Sequence, residues 1–412
     1  MKILVLAPHA YYIDRGTPID LDLLLRAMSL RGDDVDVAVY SEGEDRSYPN
    51  VSLHRIGGRP KGRQIRPGFS LRKLGYDLRL FFLAWRLVRS RPYDVVHAGE
   101  EAAFVAMLFR RLHGIPYVYD MDSSIAQQMV EQMPLLRPLA GLFNWFEARA
   151  LKNAVATAPV CNALADLARS RGARHVVTLH DVSQLERADF RSDGTLRQRL
   201  GIDGLILMYV GNLQAYQGID LLLKAFPRAL AAGADLDLVI AGGSDDDIEA
   251  YQAMARSLGC EDRTHFIGHW PASRLGALLA EADILTAPRM KGINTPMKVF
   301  PYLHSGLPVL VTDLPTHTQI LDDSVAMLAP PEPDGFAEAI VRLARDAELR
   351  QRLGEAGRAF VERNHTFDAH VRRVHQLYDF LEEDLRTDSA EDLRTDSAPR
   401  SPRALPPHEE AS

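Results

Sequence analysis

The sequence predicts an α/β fold made of two doubly wound units in series, and three observations carry that prediction. Short apolar runs rich in Val, Ile and Leu alternate with longer stretches of helical periodicity, the pattern of parallel sheets covered by helices on both faces. The alternation breaks at a polar, charged stretch, Val182–Asp203, and begins afresh at Leu205. A chain of 412 residues is long enough for two domains of roughly 100–200 residues each.

The first strand is expected at Lys2–Ala7, an apolar run that Pro8 ends too early for a secretion signal. Strands at Asp34–Tyr40, Val51–Arg55, Val95–His97, Tyr117–Asp120 and Ala154–Ala158 follow, with helices at Leu21–Arg31 and Glu101–Leu112 among the connections. The second unit repeats the scheme with strands at Leu205–Val210, Leu236–Ala241, Thr264–Ile267, Ile284–Ala287, Val309–Thr312 and Ala326–Leu328. Helices are expected at Asp334–Arg345, Leu349–Asn364 and Thr366–Leu385. The octad Glu383–Ala390 recurs at Glu391–Ala398, and residues 386–412 carry too little apolar surface to fold, so a disordered tail is expected there. The resulting division is 1–185, 186–365, a final helix 366–385, and the tail. Open sheets of this kind bind ligands beyond the carboxyl ends of their strands, which here means between the two units.

Composition narrows the function. Hydrophobic content of 46% and charged content of 25% are those of a soluble globular protein, and a net charge of −7 offers no general attraction for nucleic acid. Cys161 and Cys260 stand far apart with no metal-ligand spacing. No run approaches the roughly 20 apolar residues of a membrane span. The expected location is the cytoplasm, with at most peripheral attachment to the inner face of a membrane.

Four segments carry chemistry. Gly292–Leu310 reads as loop, helix, turn and strand, with Thr295 as N-cap, Pro296 at the first helical position and Lys298 one turn in; a helix start with a lysine suits an anion such as a diphosphate. A plain loop–helix–strand step fits the same residues. In Tyr209–Ala225, Gly211 ends a strand and Gly218 starts a helix, so backbone N–H groups can face a phosphate. Arg289 stands at the end of the strand Ile284–Ala287, on the cleft side, where a guanidinium suits bidentate phosphate binding or a surface salt bridge. Gly16 lies in the loop after the first strand, before a helix.

Taken in order, these segments resemble the family 4 retaining glycosyltransferases of the GT-B group. The resemblance rests on Asn294-Thr295-Pro296-x-Lys298-x-x-x-Tyr302-Leu303-x-Ser305-Gly306-x-Pro308-Val309, on Val210-Gly211 with Gln217-Gly218 and Asp220-x-Leu222-Leu223, on Phe266–Trp270 and on Arg15–Pro18, and it spans roughly residues 1–380. It implies a GT-B fold whose final helix crosses back to the first domain, and transfer of a sugar from a nucleotide diphosphate sugar to the hydroxyl of a glycan or lipid-linked acceptor, with no metal or cofactor. It also implies that Gly16, Gly211, Asn212, Gln217, Gly218, Arg289, Asn294, Thr295, Pro296 and Lys298 surround the donor. His269 or Trp270 would lie near the nucleobase. In the place of the family's first-domain histidine stands Asp122, a sugar-side group or a helix N-cap; His97 is a second cleft candidate.

The departures are specific. The family's Arg and Lys at the second glycine loop are Asn212 and Gln217, and its two glutamates eight positions apart align with Ile293 and Pro301, whose side chains cannot bind a ribose hydroxyl. These losses keep open two rivals, a degenerate sugar-nucleotide or partner-binding protein and a phosphorylase of the same fold. Finally, Arg55–Arg91 sets eleven basic residues against the single acid Asp77, interleaved with Leu74, Leu78, Phe82 and Trp85; it reads as a surface for anionic lipid or as a solvated loop and helix.

Overall fold

A computed structural model describes residues 1–13, 16–57, 71–132, 134–192 and 194–396. Two six-stranded, wholly parallel sheets are formed. The first holds β1 (Lys2–Leu6), β2 (Asp34–Val39), β3 (Val51–Arg55), β4 (Val95–Gly99), β5 (Tyr117–Met121) and β6 (Ala156–Pro159), in the order β3-β2-β1-β4-β5-β6. The second holds β7 (Leu205–Val210), β8 (Leu236–Ala241), β9 (Thr264–Gly268), β10 (Ile284–Ala287), β11 (Val309–Thr312) and β12 (Met327–Ala329), in the order β12-β11-β10-β7-β8-β9. The two orders are the same winding. Each sheet therefore has one point where the chain reverses its direction of growth, between β1 and β4 and between β7 and β10, and a crevice opens there at the carboxyl ends.

The strands are apolar on both faces because both faces are covered. Ile3 and Val5 enter one core cluster and Leu4 and Leu6 the opposite one; Leu207 and Tyr209 likewise oppose Ile206 and Met208. All twelve strands lie within a residue or two of the positions read from the sequence, since a short buried apolar run between turns has few alternatives.

The helix Phe367–Asp396 returns to the first unit. Its Val374, Leu377, Tyr378 and Leu381 complete the core cluster of Ile3, Val5 and the helix Gly16–Arg31. Arg31 binds Asp379 at 3.0 Å and Glu382 at 3.1 Å, and the Tyr378 hydroxyl meets His97 Nδ1 at 2.9 Å. The helix extends beyond the expected end at Leu385, through Asp396. Leu, Arg, Glu and Ala in the repeated octad are good helix formers, and Glu382–Arg386 is a favourable i,i+4 pair. Residues 397–412 lie outside the described residues.

Candidate functional site

The second crevice is built by the ends of β7 and β10. Gly211 follows β7 at φ 151°, and a Cβ there would collide with the ammonium of Lys298. Gly218, at φ 79°, lies directly under the carbonyl of Pro288, so a side chain at that position would strike backbone. These two glycines let the turns after β7 and β10 close on each other around Lys298 and Arg289.

Lys298 Nζ donates to the Tyr209 hydroxyl at 2.7 Å and to Gln217 Oε1 at 3.2 Å. Arg289 donates from Nε to the Lys291 carbonyl at 2.8 Å and from Nη2 to Asn294 Oδ1 at 3.0 Å, with its guanidinium 5.3 Å from the Tyr216 ring centroid. Among the described residues neither cation has a carboxylate within 4.0 Å. Burial holds the Lys298 ammonium well below its ordinary range and Arg289 repels it further; burial also lowers Arg289. Two cations held side by side by neutral oxygens form a site for a multiply charged anion.

The structure corrects several assignments. The helix begins at Val299, not Pro296, and Thr295 does not cap it. The N–H of Val299 bonds the Pro296 carbonyl at 3.0 Å and that of Phe300 the Met297 carbonyl at 3.2 Å. Thr295 Oγ1 is buried with no hydrogen bond, while its backbone N–H faces the Cys161 thiol of the first unit. Contact across the cleft overrides the local capping preference. Ile293, in a family glutamate place, packs on the first unit's core cluster. Pro301 lies in the first turn of Val299–His304, where a missing N–H breaks no bond. Gln217 and Asn294 present their carbonyl oxygens to Lys298 and Arg289 and so position the cations. Asn212 Oδ1 accepts the N–H of Gln214 at 3.2 Å and shapes the turn. Trp270 bonds the Arg274 carbonyl through Nε1 at 3.2 Å and packs on a core cluster.

The first crevice, at the ends of β1, β4 and β5, is a cavity lined by Thr17, Asp20, His97, Glu100, Asp120 and Asp122 among others. Asp122 is not a helix cap: Ser124 Oγ and Glu147 take the N–H groups at the start of Ile125–Gln132. Its carboxyl, bonded to Thr17, is pushed well up, by burial first and then by Asp120, Glu100 and Asp181. Open space stands where a Cβ would project from Gly16, at the start of the neighbouring helix, while Asp14 and Arg15 lie outside the described residues. Sequence reasoning missed Asp20, Glu100 and Asp181. The available signal was Asp20 within the otherwise apolar helix start Pro18–Leu21.

The known proteins that the chain resembles agree with this geometry. Residues 16–181 match the model for the glycosyl transferase 4-like domain, and residues 193–360 that for glycosyl transferases group 1. The phosphatidyl-myo-inositol mannosyltransferase of Mycobacterium leprae is 24% identical over 372 residues, which cover 88% of this chain and 92% of the relative. Sucrose-phosphate synthase from Thermosynechococcus elongatus superposes with a TM-score of 0.74 at 19% identity, over 93% of this chain and 99% of the other. Anabaena Alr3699/HepE, solved in complex with UDP, does so at 0.71 and 16% identity, over 93% and 100%. With a glycosyltransferase domain matched in each half and two sheets of one winding facing a common cleft, the protein belongs to the GT-B glycosyltransferase superfamily that includes family 4.

Proposed function

We propose that this protein is a retaining, metal-independent glycosyltransferase that moves a sugar from a nucleotide diphosphate sugar to an acceptor hydroxyl. The observation that carries the reading is the pair Lys298 and Arg289, buried together with no ion pair within 4.0 Å among the described residues, although Asp181 acts on Arg289 from farther away. When the bond to the anomeric carbon breaks, negative charge grows on the departing diphosphate. Cations already fixed by Tyr209, Gln217 and Asn294 stabilise that charge without reorganising. Retention and the absence of a metal requirement rest on the family resemblance. The solved complex of HepE with UDP makes uridine donors the first to test. Asp122 and Gly16, across the cleft, face the sugar and acceptor side.

The acceptor is a glycan or a lipid-linked glycan, reached from a membrane surface. Leu74, Leu78 and Phe82 are spaced four apart on Leu71–Ser90 and are 53%, 56% and 59% exposed, with exposed Arg72, Arg79 and Arg86 on the same helix. Residues 58–70 of the basic stretch lie outside the described residues. No described helix is long and apolar enough to cross a membrane. The relative from Mycobacterium leprae is named for a phosphatidyl-inositol substrate, which favours a lipid acceptor.

A thermal-shift screen with UDP-, GDP- and ADP-sugars, followed by assay of donor hydrolysis, tests the reading. Stabilisation by a nucleotide sugar that Lys298→Ala removes, with slow hydrolysis by the parent chain, is the expected result. Binding without turnover across many acceptors would favour a degenerate binder. Phosphate-dependent release of sugar 1-phosphate would favour a phosphorylase.

A further inference from the structure

The loop between β10 and the helix Val299–His304 carries both Arg289 and Lys298, and it is tied to the first unit. Ile293 packs on the core cluster to which Cys161 and Leu164 belong. A second tie runs through Gln319, the residue that follows the short helix Pro315–Thr318 after β11. Its Oε1 accepts the N–H of Ala163 at 3.1 Å, and its backbone carbonyl accepts Asn162 Nδ2 at 3.2 Å. Both partners stand at the start of the first-unit helix Asn162–Ser170. The Ala163 N–H is one of the donors that a helix start cannot satisfy within itself, so the other unit supplies the acceptor.

The other end of the same amide reaches the loop. Gln319 Nε2 donates to the Ile293 carbonyl at 2.8 Å. With an N–H on one side and a carbonyl on the other, the amide has one satisfied orientation. The next carbonyl, that of Asn294, accepts the Thr316 hydroxyl at 2.7 Å. Asn294 Oδ1 in turn accepts Arg289 Nη2 at 3.0 Å. An unbroken path therefore runs from the helix start at Ala163, through Gln319 and the Ile293–Asn294 backbone, to the Arg289 guanidinium.

We propose that Gln319 is a positioning residue for the diphosphate site: by bridging Ala163 and Ile293 it fixes Asn294, and through Asn294 the Arg289 guanidinium. This rests on the diphosphate reading and adds the residue that ties diphosphate binding to the contact between the two units. The Gln319 amide is engaged by protein at both ends, so it acts through Asn294 and not on the ligand. When the units part, Ala163 leaves Gln319 and the loop loses a support. Bonds from a guanidinium to phosphate oxygens are short and directional, so a loosened Arg289 binds a diphosphate less tightly.

Calorimetry of UDP binding to the full chain tests the proposal. Gln319→Met is neutral, of similar size, and makes neither side-chain bond; it should bind UDP about tenfold more weakly than the parent chain. Gln319→Asn keeps the amide but is one methylene too short to span both partners. It should weaken UDP likewise, and it serves if Gln319→Met does not fold. Asn294→Ala cuts the link between the loop and Arg289 and should weaken UDP to a similar degree. In the Asn294→Ala background the Gln319 change should add less than about twofold, because the two act on one path. A packing role alone would lower the melting temperature of the Gln319 variants and leave the UDP affinity of the folded chain unchanged. That result, or effects of the two substitutions that simply add, overturns the proposal, while the diphosphate reading stands on UDP binding that Lys298→Ala abolishes. If UDP, GDP and ADP all fail to bind the parent chain, the diphosphate reading falls and the proposal with it.

Discussion

Lys298 Nζ lies 2.7 Å from the hydroxyl of Tyr209 and 4.0 Å from the centroid of the same ring. One tyrosine at the end of β7 thus offers both a lone pair and an aromatic face to an ammonium that a later segment delivers. Neither contact neutralises the charge. The arrangement fixes the lysine's position and leaves its charge available to a ligand.

Replacing Lys298 by Met should therefore separate stability from function. The free protein should melt at the same temperature or higher, because a buried cation without a carboxylate partner is removed. Stabilisation by UDP should vanish, and kcat should fall by about 10²–10³. Differential scanning fluorimetry with and without UDP, together with a transfer assay, reads both. A large drop in the ligand-free melting temperature would mean that Lys298 is structural.

Proton linkage gives a second test. Burial lowers the Lys298 pKa below its ordinary 10.5, so between the folded value and 10.5 the folded chain binds fewer protons than the unfolded one. Ligand-free stability contributed by this group should rise with pH across that window. A diphosphate restores the charge, so UDP binding should take up a proton above the lowered value and weaken as pH rises. Calorimetry in two buffers of different ionisation enthalpy measures the uptake, and Lys298→Met should abolish it.

Acid should loosen the junction beneath the returning helix. Burial pushes His180, His365 and His370 down to about 4 from an ordinary 6.5. Between those values the unfolded chain binds more protons, so the stability from these rings is complete above 6.5 and is lost as pH falls toward 4. Asp181, pushed up to about 6, acts in the opposite sense between 3.8 and 6, so the comparison must be made between variants. His365→Gln should show a smaller fall in melting temperature from pH 7 to pH 5 than the parent chain does.

Gly218→Ala should cost at least about 2 kcal/mol in urea denaturation, since it adds a Cβ at positive φ against the Pro288 carbonyl. Gly211→Ala meets the side-chain end of Lys298 instead of backbone. It should cost less stability but displace the ammonium and weaken UDP binding.

Changing Leu74, Leu78 and Phe82 together to Ser should leave the melting temperature nearly unchanged, because all three are exposed. Co-sedimentation with vesicles rich in anionic lipid should fall several-fold. Undiminished sedimentation would place membrane contact elsewhere.

Much of the second crevice was legible in the sequence. Gly211, Gly218, Arg289 and Lys298 stand at strand ends and turns, where local residue preferences are strong, and all four meet at one crevice. The same local reading erred where contacts from the other unit intervene. Thr295 has the residue type of an N-cap but is held against Cys161, and Ile293 occupies a polar family position because it packs on the first unit. Asn212 and Gln217 stand where the family has Arg and Lys, and their oxygens shape the turn and hold Lys298.

The sequence by itself determined two parallel α/β units and their strands, because a strand buried on both faces writes its burial into consecutive residues. The tertiary structure alone decided which carboxyl groups would meet. Asp20, Glu100 and Asp122 lie far apart along the chain and share a crevice only because the strand order places β1, β4 and β5 side by side. Their mutual repulsion arises from distances through space that no local periodicity records.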